Sequence, residues 1–495
     1  MSELPEAYHK LLAMGEELTL LVDTSALLGW DQETKMPSKG VAYRAKQMAY
    51  LSGKEHDLFV RAEVGEWISE CESEMSPADE MWPNVRDWRF DYDRATTLPT
   101  ALVTEFQEIS ALGKATWAEA REKADFGIFA PHLEKLVELS KEKAESFGYE
   151  KCSYDALLEN FERGARAGDL AEVFTKLRPE LVEIGKEITD RGTRVSDDIL
   201  QGDYPIDKQE AFNQEVAEKV GFNFEAGRID TAVHPFCSGL GPRDTRLTTR
   251  YDEKEFTSSL FGVLHEAGHG MYDQGLPGEL HGLPIGRAVS LGIHESQSRL
   301  WENHVGRSRE FWQYWLPRAA QYFPHLASIS LDDMVFAVNR SSPSYIRVEA
   351  DEVTYDLHIM LRFELERAIF DDQLAVKDIP GEWNERVREM FGLEVPDDAR
   401  GCLQDIHWSM GMFGYFPTYS LGNLNASQLI AAAKKENPQI DGQIAEGDCS
   451  TILNWMREKV HSAGSRWLPG ELIERATGET TDSAAHLKHL RDRYL

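Results

Sequence analysis

The stretch GVLHEAGHGMYDQGL, residues 262–276, constrains this chain more than any other. Phe261, Val263, Leu264, Met271 and Tyr272 recur at helical spacing, which predicts a buried helix. The same helix carries His265, Glu266 and His269, and burying such groups without partners costs free energy. It also carries Gly268 and Gly270, each unfavourable by about 1 kcal/mol against Ala inside a helix. A compensating interaction is therefore expected here. Thr257, Ser258 and Ser259 are candidate N-caps, and Gly275 followed by Pro277 is a stop signal. The glycines would let a strand or a substrate come close to the helix.

His265 and His269 are four residues apart, so they share one helix face about a turn from each other. Two imidazoles so placed can hold one Zn2+ at about 2.0–2.1 Å. Glu266 then sits beside the metal, where it can accept a proton from a water made more acidic by the cation. This is the HExxH logic of zinc hydrolases. The bland alternative is a polar stripe on a helix edge, which the apolar flanks disfavour. A catalytic zinc needs a third protein ligand and an open position. Glu295, in SLGIHESQSRLWENH, is the leading candidate, with Asp273 and Glu279 as rivals. Asp273 better suits a supporting role behind the ligands. His294 is expected on a different face from Glu295, as a packed or hydrogen-bonded histidine.

The rest of the chain supports a large, soluble, helical enzyme. With 495 residues, 42% of them hydrophobic, it can bury a large core and is not a disordered chain. A formal net charge of −32 argues against nucleic acid, whose phosphates need Lys and Arg; a solvated acidic surface accounts for it. No apolar run reaches about 18 residues, so no membrane span is expected. The N-terminus lacks a signal-peptide pattern. The five scattered cysteines fit reduced thiols in a cytoplasmic protein. Helical periodicity runs through residues 5–30, 167–192, 298–323 and 351–370. The clearest strand is DTRLTTRY, Asp244–Tyr251, just before the HEAGH helix. ECESEMSPADE, residues 70–80, is expected to be a solvated loop. No repeat or linker divides the chain. We expect one α-rich unit over 1–495, with a helical flank (1–200), a core carrying the chemistry (225–425) and a C-terminal helical segment (426–495).

Further motifs add a resemblance. HEAGH (265–269) and HESQS (294–298) occur with HPF (234–236), DTRLT (244–248), IRVEAD (346–351) and GCLQDIHW (401–408). WDQETKMP (30–37), VHSAGS and ATGE (476–479) look similar too. Together these resemble the thermostable metallocarboxypeptidase family of the Taq type, from about residue 25 to 495. The resemblance implies a mainly α metallopeptidase fold with a deep groove and a homodimer. It implies removal of C-terminal residues from peptides, with broad specificity and a stop at proline. His265, His269 and Glu295 would hold the metal, Zn2+ or Co2+, one per chain, and Glu266 would be the general base.

A carboxypeptidase must also recognise a free α-carboxylate, and the arginine fork suits it. Arg347 of IRVEAD is the first choice and Arg246 of DTRLT the second. Each has a structural alternative, an ion pair of Arg347 with Asp351 or of Arg246 with Asp244. Hydrolysis passes through an oxyanion, for which His407 and Tyr419 are candidate donors, with Tyr415 as a rival. The alternative is that these rings pack the groove floor. His234 and Phe236 are expected to shape the groove. Rival classes are a dipeptidyl carboxypeptidase or oligoendopeptidase, of which the endopeptidase would still cut an amidated substrate, and a non-catalytic helical scaffold, which would lack chelator-sensitive activity.

Overall fold

The computed structural model describes residues 4–192 and 197–495. The chain is mainly helical, with one small sheet near its centre. The sheet has strands β1 (Gly227–Thr231), β2 (Cys237–Gly239) and β3 (Thr245–Thr249) in the order β1-β3-β2. β1 runs parallel to β3, with Ile229 opposite Leu247, and β2 runs antiparallel to it, with Ser238 opposite Arg246. β3 is the strand foreseen in DTRLTTRY. Its Leu247 is fully buried and faces the next helix.

That next element is the HEAGH helix, Thr257–Gly275. It stops at the foreseen glycine, but the hydroxyl residues at its start do not cap it. Instead the Glu255 carboxylate accepts from Thr257 N at 2.7 Å and from Ser258 N at 2.8 Å. A carboxylate there also meets the favourable end of the helix dipole. The HESQS helix, Leu291–Arg299, packs against the HEAGH helix. At Gly268 a Cβ would lie 2.6 Å from Gln297 O and from Ser298 Cα, so only glycine permits this approach of two helices. At Gly270 it would lie 2.7 Å from the Phe222 ring and 2.9 Å from the Leu247 side chain on β3. Gly270 thus admits both the expected strand and the Phe222 ring, whereas Gly268 admits a helix rather than a substrate.

Two further expectations change. Residues 298–323 are not one helix. The chain winds as a π-helix over Leu300–Val305, turns, and restarts as helix Arg309–Tyr322, where Ser308 Oγ accepts from Phe311 N at 3.1 Å. A serine that caps locally outcompetes continued periodicity. In ECESEMSPADE, Glu70–Glu74 form the last turn of helix Ala62–Glu74, because Val64, Ile68 and Cys71 supply a buried face that carries it on.

Hydrophobic packing gathers into three clusters among the described residues. One joins segments within 102–184 to 353–424 and includes Leu490 near the C-terminus. A second joins 200–338 to 426–476 and surrounds the HEAGH helix. A third ties the N-terminal helices to Leu283 and Ile285. No helix among the described residues is long and apolar enough to cross a membrane. The cysteines are free.

Candidate active site

The HEAGH and HESQS helices bring His265, His269 and Glu295 together, so that one donor atom from each lies within 4.8 Å of the others. Glu295 Oε2 is 3.7 Å from His265 Nε2 and 3.5 Å from His269 Nε2. Its other oxygen, Oε1, accepts from Arg299 Nε at 2.7 Å. The carboxylate is thereby aimed, with one oxygen tied back and the other turned to the imidazoles. The helix Pro417–Glu436 leaves room for it. A Cβ on Gly422 would collide with Glu295 Cγ and come within 2.7 Å of Glu295 Cβ. Asp273 and Glu279 do not join this set.

Behind each histidine stands a partner. His265 Nδ1 lies 2.8 Å from Glu302 Oε2. A carboxylate accepts, so Nδ1 donates and the lone pair is left on Nε2, facing Glu295. His269 Nδ1 lies 2.5 Å from His294 Nδ1, and His294 Nε2 lies 3.2 Å from Asp273 Oδ1. With His294 Nε2–H donated to Asp273, its Nδ1 accepts from His269 and again frees the Nε2 lone pair. His294 therefore turns towards the HEAGH helix, as Glu295 does, and its hydrogen-bonded character is as expected. Asp273 supports His269 through it. Glu302 carries no motif. The signal that could have found it is its place seven residues after Glu295, two turns along the same helical stretch. Arg299 follows Glu295 by four residues and orients the carboxylate rather than a histidine.

Charge makes the same point. Burial disfavours a proton on His265, but Glu295, Glu302 and Glu266 outweigh this and raise it to about 9. Burial, with His294 and His265 nearby, holds His269 well below its usual range. The pocket thus draws positive charge to one imidazole and offers a neutral second one. Once a cation displaces the extra proton of His265, two imidazole nitrogens and a carboxylate oxygen converge in a negative pocket, a donor set that fits a divalent cation of the zinc class. Glu266 is 6% exposed, and burial raises its carboxyl to about 7, helped by Glu295 and opposed by His265.

A wall of arginines and tyrosines lies beside this centre. Arg299 stands over the Tyr355 ring at 4.5 Å, and Tyr355 Oη accepts from Arg347 Nη1 at 2.8 Å. Arg347 sits over the Tyr419 ring at 4.9 Å. Its carboxylate partner is Asp405, which accepts from Nε at 3.0 Å and Nη2 at 2.9 Å. Asp351 instead accepts from Ser341 Oγ and from the backbone of Val353 and Thr354, holding the turn that enters helix Tyr355–Phe370. The pairing of Arg347 with Asp351 considered above is therefore replaced by one with Asp405. His407 Nε2 lies 3.4 Å from Tyr419 Oη, and its ring contacts Tyr415 at 5.1 Å. Burial lowers His407 to about 4, so the imidazole is neutral. Its Nδ1 is buried without a hydrogen-bond partner. These residues, Arg347, His407, Tyr415 and Tyr419, form one group.

Arg246 and His234 stand outside that group. Arg246 makes a two-pronged pair with Asp244, at 2.9 and 2.8 Å, and lies 4.4 Å over the Trp30 ring. His234 is exposed on the turn between β1 and β2.

The sequence matches the family described as Carboxypeptidase Taq (M32) metallopeptidase over residues 10–494. It is 42% identical to thermostable carboxypeptidase 1 of Thermus thermophilus, covering 99% of each chain. It is 36% identical to carboxypeptidase 1 of Bacillus subtilis, covering 95% of this chain and 94% of that one. Among solved structures, the M32 carboxypeptidase from Deinococcus radiodurans superposes with a TM-score of 0.96 at 38% identity, covering 99% of each chain. Pyrococcus furiosus carboxypeptidase does so with a TM-score of 0.96 at 34% identity over 100% of both chains. The chain therefore belongs to the carboxypeptidase Taq (M32) metallopeptidase family and is a metallocarboxypeptidase.

Proposed function

We propose that this protein removes single residues from the free C-termini of peptides, with broad specificity and poor action at proline, using Zn2+ or Co2+ held by His265, His269 and Glu295. The convergence of these three donors beside buried Glu266 carries the reading. When bound, the cation supplies Lewis-acid polarisation of the scissile carbonyl and of the attacking water. Glu266 takes the proton from that water and passes it to the leaving amine. A base whose carboxyl is raised to about 7 is matched to that exchange near neutrality.

Arg347 and the tyrosine wall supply recognition in this reading. Asp405 and Tyr355 hold the Arg347 guanidinium in place and leave N–H capacity on both Nη atoms for a carboxylate. Neutral His407 and the phenol of Tyr419 donate to the developing oxyanion, with Tyr415 supporting them. Arg246, tied to Asp244, lines the groove wall, and exposed His234 shapes its edge. The enzyme acts as a cytoplasmic homodimer.

The test is a peptide with a free C-terminus followed by mass spectrometry. Loss of one residue at a time from that end, with the amidated peptide left intact, is the expected result. Internal cleavage of the amidated peptide would instead make the enzyme an endopeptidase.

A further inference from the structure

A second set of metal-binding side chains lies where the C-terminal helix Ala484–Tyr494 meets the π-helix Leu300–Val305. We propose that His304, Glu352 and His489 form a second site for a divalent cation of the zinc class, which staples the C-terminal helix to the segment behind the catalytic centre.

The donor set repeats that of the first site, with two imidazoles and one carboxylate whose ligand atoms lie within 4.8 Å of one another. The carboxylate is also presented in the same way. Glu352 Oε1 faces His489 Nε2 at 2.7 Å, while Oε2 is tied back by Arg493 Nη1 at 3.1 Å and Tyr494 Oη at 3.2 Å. Glu295 is likewise held through one oxygen by an arginine and points the other at histidines. Arg493 is itself anchored on Asn303 O at 2.7 Å, so its charge is already shared when a cation enters.

The histidines have the right form. Ser427 Oγ lies 3.0 Å from Asn423 O, 3.1 Å from His304 Nε2 and 2.9 Å from His486 Nδ1. A carbonyl only accepts, so the hydroxyl proton goes to Asn423 and both imidazoles donate to the oxygen. His304 Nδ1 is then an unprotonated nitrogen. Burial and nearby His489 keep His304 well below its usual range, and burial lowers His489 to about 4. Their rings are 4.0 Å apart, a contact that two neutral imidazoles tolerate and a bridging cation would reward. Behind them, fully buried Asp356 Oδ2 and His486 Nε2 are 3.1 Å apart but make no hydrogen bond. The proton between His489 and Glu352 is the one a cation would displace. His489 keeps 16% of its side-chain exposure, which gives an entry path.

The test is equilibrium dialysis of the full chain against Zn2+, with bound metal counted and melting followed in the same samples. Two equivalents are expected in the wild type. One is expected in His265→Ala/His269→Ala and one in His489→Gln, which keeps its hydrolytic activity. Zn2+ should still raise the Tm of the double variant, and adding His489→Gln should abolish that rise. Where His489→Gln fails to fold, Glu352→Gln takes its place. A wild-type count of one, no zinc on the double variant, or two equivalents persisting in His489→Gln would each overturn the proposal. The double variant separates failure of this site from failure of the first.

Discussion

In the proposed mechanism, Glu266 is the residue whose replacement separates metal holding from catalysis. Glu266→Gln preserves size and removes the base. Metal content should stay at the wild-type level while kcat falls by about 10²–10⁴-fold, the usual contribution of a positioned base. Loss of metal along with activity would make Glu266 a structural partner of the ligands instead. Glu302 acts one step further out. Glu302→Ala releases the His265 ring and should weaken metal affinity by about 10–100-fold, as read by competition with a chelator. An unchanged affinity would show that His265 needs no such support. At this scale HExxH was legible because both histidines and the glutamate lie within one helical turn. The hydrogen bonds of Glu302, His294 and Asp405 were not, since each joins residues more than 20 positions apart. Only packing reveals such pairs.

Among the elements, the joint between the HEAGH and HESQS helices carries the site. Gly268→Ala would force a methyl against Gln297 O at 2.6 Å, a backbone atom that cannot rotate away. Overpacking of that kind costs about 1–3 kcal/mol, so the Tm should drop, and metal affinity should drop with it because Glu295 rides on the displaced helix. A stable variant with normal metal content would mean that the joint yields.

His461 pins the other end of this joint. It packs where a Cβ on Gly275 would be and lies 3.0 Å from Gln297 Oε1. Burial lowers its imidazole to about 3, far below the ordinary 6.5. Between those values the unfolded chain binds the proton and the folded one does not. Stability should therefore rise with pH across that window and fall as acid is added. His461→Asn should be less stable than wild type at pH 7 yet show a flatter slope between pH 6.5 and 3 in denaturant titrations. An identical slope would remove His461 from the acid response. Helix positions and β3 were legible from periodicity and alternation. The break at Gly306–Ser308 was not, because a serine cap reads like any polar residue within a helical pattern.

The whole molecule closes around the HEAGH and HESQS helices by joining distant parts of the chain. Residues near 102–184 share a core with 353–424, and the C-terminal helix returns to the π-helix that follows the HESQS helix. Composition and motif order made a large helical metallopeptidase legible. The closure at the C-terminus left no trace in any motif, since His304, Glu352 and His489 come from three separated segments. The proposed homodimer belongs to this scale, and sedimentation velocity should find twice the mass of one chain; a monomer that retains full activity would remove dimerisation from the account.

The central claim is that one metal centre, built by His265, His269 and Glu295, drives hydrolysis at a free C-terminus. The most direct measurement is turnover of an N-blocked dipeptide and of its C-terminal amide, with and without chelator, with metal quantified in the same sample. Cleavage of the free acid alone, lost on chelation and restored by Zn2+ or Co2+, is the predicted result. Cleavage that survives complete removal of metal, or no cleavage by the metal-loaded protein, would contradict it.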